Sequence, residues 1–303
     1  MLCFMLNPIA ETTAYQNAHI EVCSPFLSYD QEELKIQSRS TFSSLKEWTG
    51  LDHEYSHEAL KKIASVFKNR QDDYLIFGQM DVNKIEMFGW HAIPYHSTDW
   101  TLWKQLKVFW TLLSGPFRVN NELRKAVAKS YRDELNKEQL ESSPIYHPTA
   151  HDPFCNESQL KKQRIFEGVE VDVLYNYAPT KLDEQLDFLI ISKKHRNSFY
   201  ELSKSEYVEA ITLAITIFNA FRETEQANIA TIYHKSGKRA GQTVPHWHLH
   251  VMLTKNRPST FIEKVSCIWK GYFRTRLSDE ELEKRVSLYS NKLKLLAKQE
   301  DVI

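Results

Sequence analysis

Histidine alternates with apolar residues through His246-Trp247-His248-Leu249-His250-Val251-Met252, and no other stretch constrains the fold as much. Successive side chains of a strand point to opposite faces. The three imidazoles therefore share one face, about 6.6 Å apart at the strand rise, while Trp247, Leu249 and Val251 point into a core. A row of imidazoles packs poorly. It suits metal ligation, or phosphate chemistry in which neutral imidazole attacks and imidazolium donates. Immediately upstream, Lys235, Lys238 and Arg239 surround Gly237 and lead into Ala240-Gly241-Gln242-Thr243, a basic loop able to hold an anion. Lys193, Lys194, His195 and Arg196 close another predicted strand and can add to that field.

The surrounding pattern is that of an α+β unit with an antiparallel sheet. Strands are predicted over Glu170 to Tyr177, Phe188 to Ser192, Asn228 to Tyr233 and His246 to Leu253. Between them Ser203 and Glu206 form a capping-box pattern that opens a helix with Tyr207, Ile211, Ile215 and Phe218 on its inner face. Upstream, Leu60, Ile63 and Phe67 have helical spacing, and Tyr74 to Met80 and Ile85 to Trp90 read as strands. Leu102, Leu106, Phe109 and Leu113 recur at i, i+4, i+7 and i+11, predicting a helix that packs in the core of the N-terminal region. The two lysines among tryptophans there also fit a helix lying on a membrane surface. A charged helix follows over Asn120 to Leu140, then a Ser/Pro-containing boundary at Glu141 to Pro148. Ser278 with Glu281 caps a last helix, whose stripe Leu282, Val286, Tyr289, Leu293 and Leu296 is expected to pack on its own domain. Met1 to Ala10 reads as a packed strand or tail. Residues 1–50 show no assignable pattern, and no internal repeat is evident.

Composition narrows the function. Lys+Arg and Asp+Glu both number 39 in 303 residues, so the basic excess expected of a phosphate-backbone binder is missing and no nucleic-acid partner is expected. A hydrophobic fraction of 42% supports a real core. Cys3, Cys23, Cys155 and Cys267 are too sparse for a disulfide framework, which favours a reducing, cytoplasmic setting. The longest apolar stretch, Trp100 to Phe117, is broken by Lys104 and Lys107, so no membrane span is expected.

The run Ala240-Gly241-Gln242-Thr243-Val244-Pro245-His246-Trp247-His248-Leu249-His250-Val251 closely resembles the signature of the histidine triad superfamily. Phe188 to His195 resembles that family's strand ending in Lys-Lys-His, and Asp172 to Pro179 its preceding strand and proline turn, so the likeness covers about residues 151–257. The resemblance implies a nucleotide hydrolase or nucleotidyltransferase working through a covalent nucleotidyl-histidine. In that reading His248 is the nucleophile, His250 contacts the phosphate and assists the leaving group, and His246 supports the site. Gln242 and Thr243 would hydrogen-bond the phosphate, and Asn176 the ribose hydroxyls. Substrates in reach are dinucleoside polyphosphates, nucleoside phosphoramidates and nucleotide sugars, and a homodimer is plausible in this family. Two positions depart from the pattern: Asp187 stands where members often have a histidine, and Lys235 where an amide is usual. They bear on rate and leaving group, and their alternative is a catalytically weakened nucleotide-binding or interaction module.

His151-Asp152-Pro153-Phe154-Cys155-Asn156 resembles the Cys-Pro-Phe-Cys opening of the zinc-containing members, with Asp152 in place of the first cysteine. The implied structural zinc would be held by Asp152, Cys155, His195 and His246. The chemistry itself requires no cofactor. Elsewhere His53-Glu54-Tyr55-Ser56-His57 matches the short zincin string H-E-x-x-H but lacks a third ligand, and reads as surface histidines at a helix start. His91 and His96 are expected on a loop. The sequence thus predicts an α+β N-terminal region (1–145), a HIT-like domain of antiparallel sheet and helices (146–258) and a helical extension (259–303).

Overall fold

The computed structural model describes residues 11–39, 48–82, 89–137, 152–179, 186–257, 260–272, 274 and 276–299. Met1 to Ala10 and the expected boundary at Glu141 to Pro148 lie outside them, as does Ile85 to Phe88 of one predicted strand.

The N-terminal half contains strands β1 (Thr13–Gln16), β2 (Ile20–Cys23), β3 (Leu27–Ser28) and β4 (Leu34–Ser38), then helix α1 (Gly50–Asn69), β5 (Asp73–Asp81) and β6 (Trp90–Tyr95). Helix α2 (Thr101–Ser114), β7 (Phe117–Arg118) and α3 (Asn121–Leu135) complete it. The C-terminal half contains α4 (Glu157–Gln163), β8 (Arg164–Glu167), β9 (Val171–Tyr175), β10 (Leu186–Ser192), α5 (Lys204–Glu225), β11 (Ile229–Ser236) and β12 (His248–Thr254). Helices α6 (Phe261–Tyr272) and α7 (Asp279–Gln299) follow.

Ten strands form one antiparallel sheet in the order β1-β2-β4-β6-β5-β11-β12-β10-β9-β8. Each half contributes the same motif: three strands in sequence, a helix, then two strands of which the second inserts beside the third. The halves join through β5 and β11, paired from Asp81↔Ile229 to Tyr74↔Ser236. The ladder pairs Phe77 with His91 in one half and Tyr233 with His250 in the other, and Phe77 pairs with Tyr233 across the seam. The fold is therefore a topological duplication about that pair. Residues 1–50, unassigned from sequence, supply three of its strands.

One face of the sheet carries α1 and α5 over a large apolar core that includes Trp90, Phe188, Phe221, Trp247, Leu249 and Val251. Both helices begin with capping boxes, Thr49 with Asp52 and Ser203 with Glu206, each satisfying two otherwise unpaired N–H groups. Helix α7 packs on its own half, with Tyr289 stacked on Tyr175 at 5.4 Å.

Four expectations need correction. His91 lies in β6 and not on a loop, buried and bonded to Glu33; His96 follows that strand and bridges Asp72 and Glu32. His53 and His57 are buried within α1; His57 Nε2 lies 2.9 Å from the Leu202 carbonyl, and burial pushes both imidazoles down to about 4. They are core residues, not surface ones. Helix α2 has a single buried residue, Val108, so the Leu102–Leu113 stripe does not enter the core. Lys193 and Lys194 reach Glu167 and Glu170, and Arg196 pairs with Glu206, so these cations neutralise local carboxylates instead of facing the histidines.

Candidate active site

On β12 the alternation does what its chemistry demands. Leu249 and Val251 enter the core, while His248 and His250 project from the opposite face, their rings 5.1 Å apart. The strand starts at His248, not at His246 as predicted. His246 precedes it in a bend, and Phe154 packs edge-on against both His246 and His248.

The orientation of His248 is fixed by its backbone. Its Nδ1 lies 2.7 Å from the His246 carbonyl, an acceptor only, so Nδ1 carries the proton and Nε2 keeps a free lone pair. Burial, then the neighbouring His250 and His234, hold His248 well below the ordinary histidine value. At neutral pH it is uncharged, with a fixed Nε2 lone pair of the kind a nitrogen nucleophile needs.

His250 stacks on Tyr233 at 4.4 Å, and its Nδ1 stands 3.8 Å from the Asp187 carboxylate. Burial pushes its value down to about 4 against the pull of Asp187. Asp187 is fully buried, yet His250 and Arg274 overcome the burial cost and keep its carboxyl below the usual range. Asn176 sits beside this group, its side chain also accepting from the Ala178 N–H at 3.0 Å. Lys235 belongs to β11 and not to a loop, because that strand runs on to Ser236. It is half-buried, and burial with the nearby charge of Arg274 pushes its ammonium down to about 8.

Two residues escaped the sequence analysis. His234 is buried behind the triad with Nδ1 2.9 Å from the His248 carbonyl. Its place in the β11 register opposite a triad strand was the available signal. Arg274, from the segment between α6 and α7, reaches the site and donates to the Tyr233 hydroxyl at 3.1 Å. Nothing in its local sequence marks it. The Gly237–Gln242 loop is held by the other half: Asp73 accepts from the Arg239 N–H at 2.6 Å, and Gln105 of α2 donates to the Arg239 carbonyl at 2.5 Å. A Cβ at Gly237 would lie 2.1 Å from the Asp73 carboxyl, so only glycine fits. Gln242 closes the same loop, accepting from the Gly237 N–H and donating to the Asn197 carbonyl, while Thr243 is exposed.

Asp152, Cys155, His195 and His246 converge, their donor atoms all within 4.8 Å of one another. Asp152 Oδ2 lies 2.8 Å from Nδ1 of both histidines, and Cys155 Sγ lies 3.4 and 3.7 Å from the same nitrogens. These separations are close to those of a tetrahedral zinc shell. His246 Nε2 lies 2.8 Å from the Ser192 carbonyl, which places the proton there and aims the Nδ1 lone pair at the cluster. The four residues fit the ion.

Among the described residues the duplicated half has no second site. His91 is stacked on Phe77 and bonded to Glu33, as His250 is stacked on Tyr233 and flanked by Asp187. Two residues before His91, where His248 stands in the other half, is Gly89, whose added Cβ would meet the Ile36 carbonyl oxygen at 2.2 Å. An acid–imidazole pair is repeated; a counterpart of His248 is not.

Residues 158–257 match the family model of the HIT domain and are a HIT domain. Among solved structures the chain is similar to a GalT-like protein from Arabidopsis thaliana, at 14% identity over 81% of this chain and 76% of that one, with a TM-score of 0.50. It is also similar to an ADP-glucose phosphorylase from Arabidopsis thaliana, solved with bound ADP-glucose, at 14% identity over 88% and 81% of the two chains and a TM-score of 0.51. A search of curated protein sequences finds no match. At this identity the likeness is one of fold. It extends beyond the HIT domain into the N-terminal half.

Proposed function

We propose that the protein transfers or hydrolyses a nucleoside monophosphate group through a nucleotidyl-histidine on His248. The observation that carries this reading is the His248 Nδ1 contact to the His246 carbonyl, which leaves Nε2 unprotonated on the face of the sheet opposite the Leu249 and Val251 core. Nε2 attacks the α-phosphorus and the bond to the leaving group breaks; Lys235 and Arg274 balance the charge on a departing phosphate or phosphorylated group, and an amine leaves with a proton from the Lys235 ammonium, which solvent restores. In the second step the acceptor, water or a hydroxyl, attacks phosphorus and its proton passes to His250. The Nε2–P bond then breaks, His248 returns to its starting state, and His250 gives its proton to the departed group or to water. Asp187 is a positioning residue that steadies the charge on His250. Dinucleoside polyphosphates, nucleoside phosphoramidates and nucleotide sugars are the substrate classes to test.

The test is a rapid alkaline quench, which preserves P–N bonds, after mixing with each substrate class, followed by mass spectrometry of the intact chain. A nucleotidyl adduct that maps to His248 supports the reading. Turnover without any adduct, or an adduct elsewhere, refutes it. Asp187→Asn is expected to lower kcat by about tenfold, the equivalent of roughly one pKa unit at His250, with KM little changed; steady-state kinetics check it.

In the same reading Asp152, Cys155, His195 and His246 would hold a structural zinc, which would tie the segment before α4 to His195 and to the bend that leads into β12 and would supply no group to the reaction. Protein purified without chelator is expected to hold about one zinc per chain. Stripping the metal, or Cys155→Ser, lowers Tm by roughly 5 °C or more. Metal analysis beside calorimetry checks both. Full stability with no metal bound would remove the ion from the account.

A further inference from the structure

Helices α2 and α6 lie side by side, joined by an edge-on contact between Trp110 and Phe261 at 5.6 Å. Among the described residues, seven of the thirteen exposed large apolar side chains belong to this pair and its N-cap: Trp100, Leu102, Trp103, Phe261, Ile262, Val265 and Trp269. Trp100 is 76% and Ile262 79% exposed, and Trp100 stacks on Trp103. A contiguous apolar patch of this kind marks a surface that is covered in use.

The charges around the patch say by what. Helix α2 contains no carboxylate, and α6 contains Glu263 alone. Lys107, Lys264 and Lys270 rim the patch, and Lys264 reaches over the Trp110 ring. The whole chain is charge-balanced, so this local excess is a feature of the face. A second copy docked two-fold on the same patch would set these lysines against themselves. Tryptophan, bulky aliphatics and lysine on one helix face are what the boundary between lipid headgroups and acyl chains selects. No described helix is long and apolar enough to cross a membrane, so the contact is a surface one.

The structure assigns the α2–α6 face as a docking surface for an anionic lipid bilayer, with the tryptophans at the headgroup level and the lysine rim on the negative lipids. The face adjoins the active site, since Gln105 of α2 holds the Arg239 carbonyl and Arg274 follows α6. The inference is independent of the reaction proposed above.

Co-sedimentation of the full chain with phosphatidylcholine vesicles, with and without phosphatidylserine, tests it. The wild type is expected to pellet with the anionic vesicles and much less with the neutral ones. Trp103→Ala/Trp269→Ala and Lys107→Glu/Lys264→Glu should each weaken binding by about tenfold or more, with unchanged melting curves. Absence of pelleting, equal pelleting of the variants, or equal binding to both vesicle types would overturn the assignment. So would light scattering that shows a dimer dispersed by the tryptophan substitutions.

Discussion

Replacing His248 with alanine is expected to lower turnover by about 10⁴-fold or more and to eliminate the proposed covalent adduct, with the chain still folded. The size of the effect follows from how singular the group is. Its Nδ1 proton is fixed by the His246 carbonyl and its Nε2 is kept unprotonated by burial beside His250 and His234. Neither neighbour can replace it: His250 is stacked on Tyr233 next to Asp187, and His234 is buried with Nδ1 on the His248 carbonyl. The duplicated half offers no substitute because Gly89 occupies the matching position. The main apolar anchors of β12, Leu249 and Val251, lie on the other face and are untouched by the substitution. Kinetics, circular dichroism and quench mass spectrometry on the same preparation check the expectation. Residual activity within tenfold of wild type would mean direct attack by the acceptor, and would leave His248 as a binding residue.

His248 and His250 were legible because strand alternation is a local rule that survives folding, and the convergence of Asp152, Cys155, His195 and His246 was reached through a family resemblance that preserves spacing across distant segments. What escaped was set by tertiary structure. The duplication is invisible in sequence because the halves share strand order and ladder register but few residue types; His91 with Glu33 echoes His250 with Asp187 only once β5 and β11 are paired. Arg274 comes from the C-terminal extension, far in sequence from every motif. The α2 stripe misled for a different reason. Periodicity reports that a helix has an apolar face, not what covers it, and here only Val108 finds the core. His53 and His57 erred in the opposite direction: polar residues near a helix start were read as exposed, but α1 is sandwiched against α3, α5 and the Phe199–Glu201 turn.

Removing both cations, Lys235→Ala with Arg274→Ala, is expected to lower kcat/KM by about 10²- to 10⁴-fold, taking each charge-assisted phosphate contact as worth ~1.5–3 kcal/mol. Both groups flank Tyr233: Lys235 Nζ lies 5.7 Å from the ring centre, and Arg274 donates to its hydroxyl. They converge on the His250–Asp187 side of the site, away from the Asp152–Cys155–His195–His246 cluster, where the proposed reaction releases its leaving group. Their titration gives the prediction a sign. Burial first, then Arg274, lowers Lys235 to about 8, with Asp187 opposing. A lysine loses its charge as pH rises through its pKa, so kcat/KM for the free enzyme falls above about 8. The acid limb lies far below, since His250 protonates only near 4. The guanidinium of Lys235→Arg stays charged throughout this range, so that variant should retain activity and lose the alkaline limb. Arg274→Ala alone removes the repulsion that depresses Lys235, and the limb should move upward. An alkaline limb unchanged in Lys235→Arg would assign it to another group and detach Lys235 from phosphate binding. A double variant of near wild-type kcat/KM would do the same for both cations, and would point to the backbone N–H groups of the Gly237–Gln242 loop as the anion site.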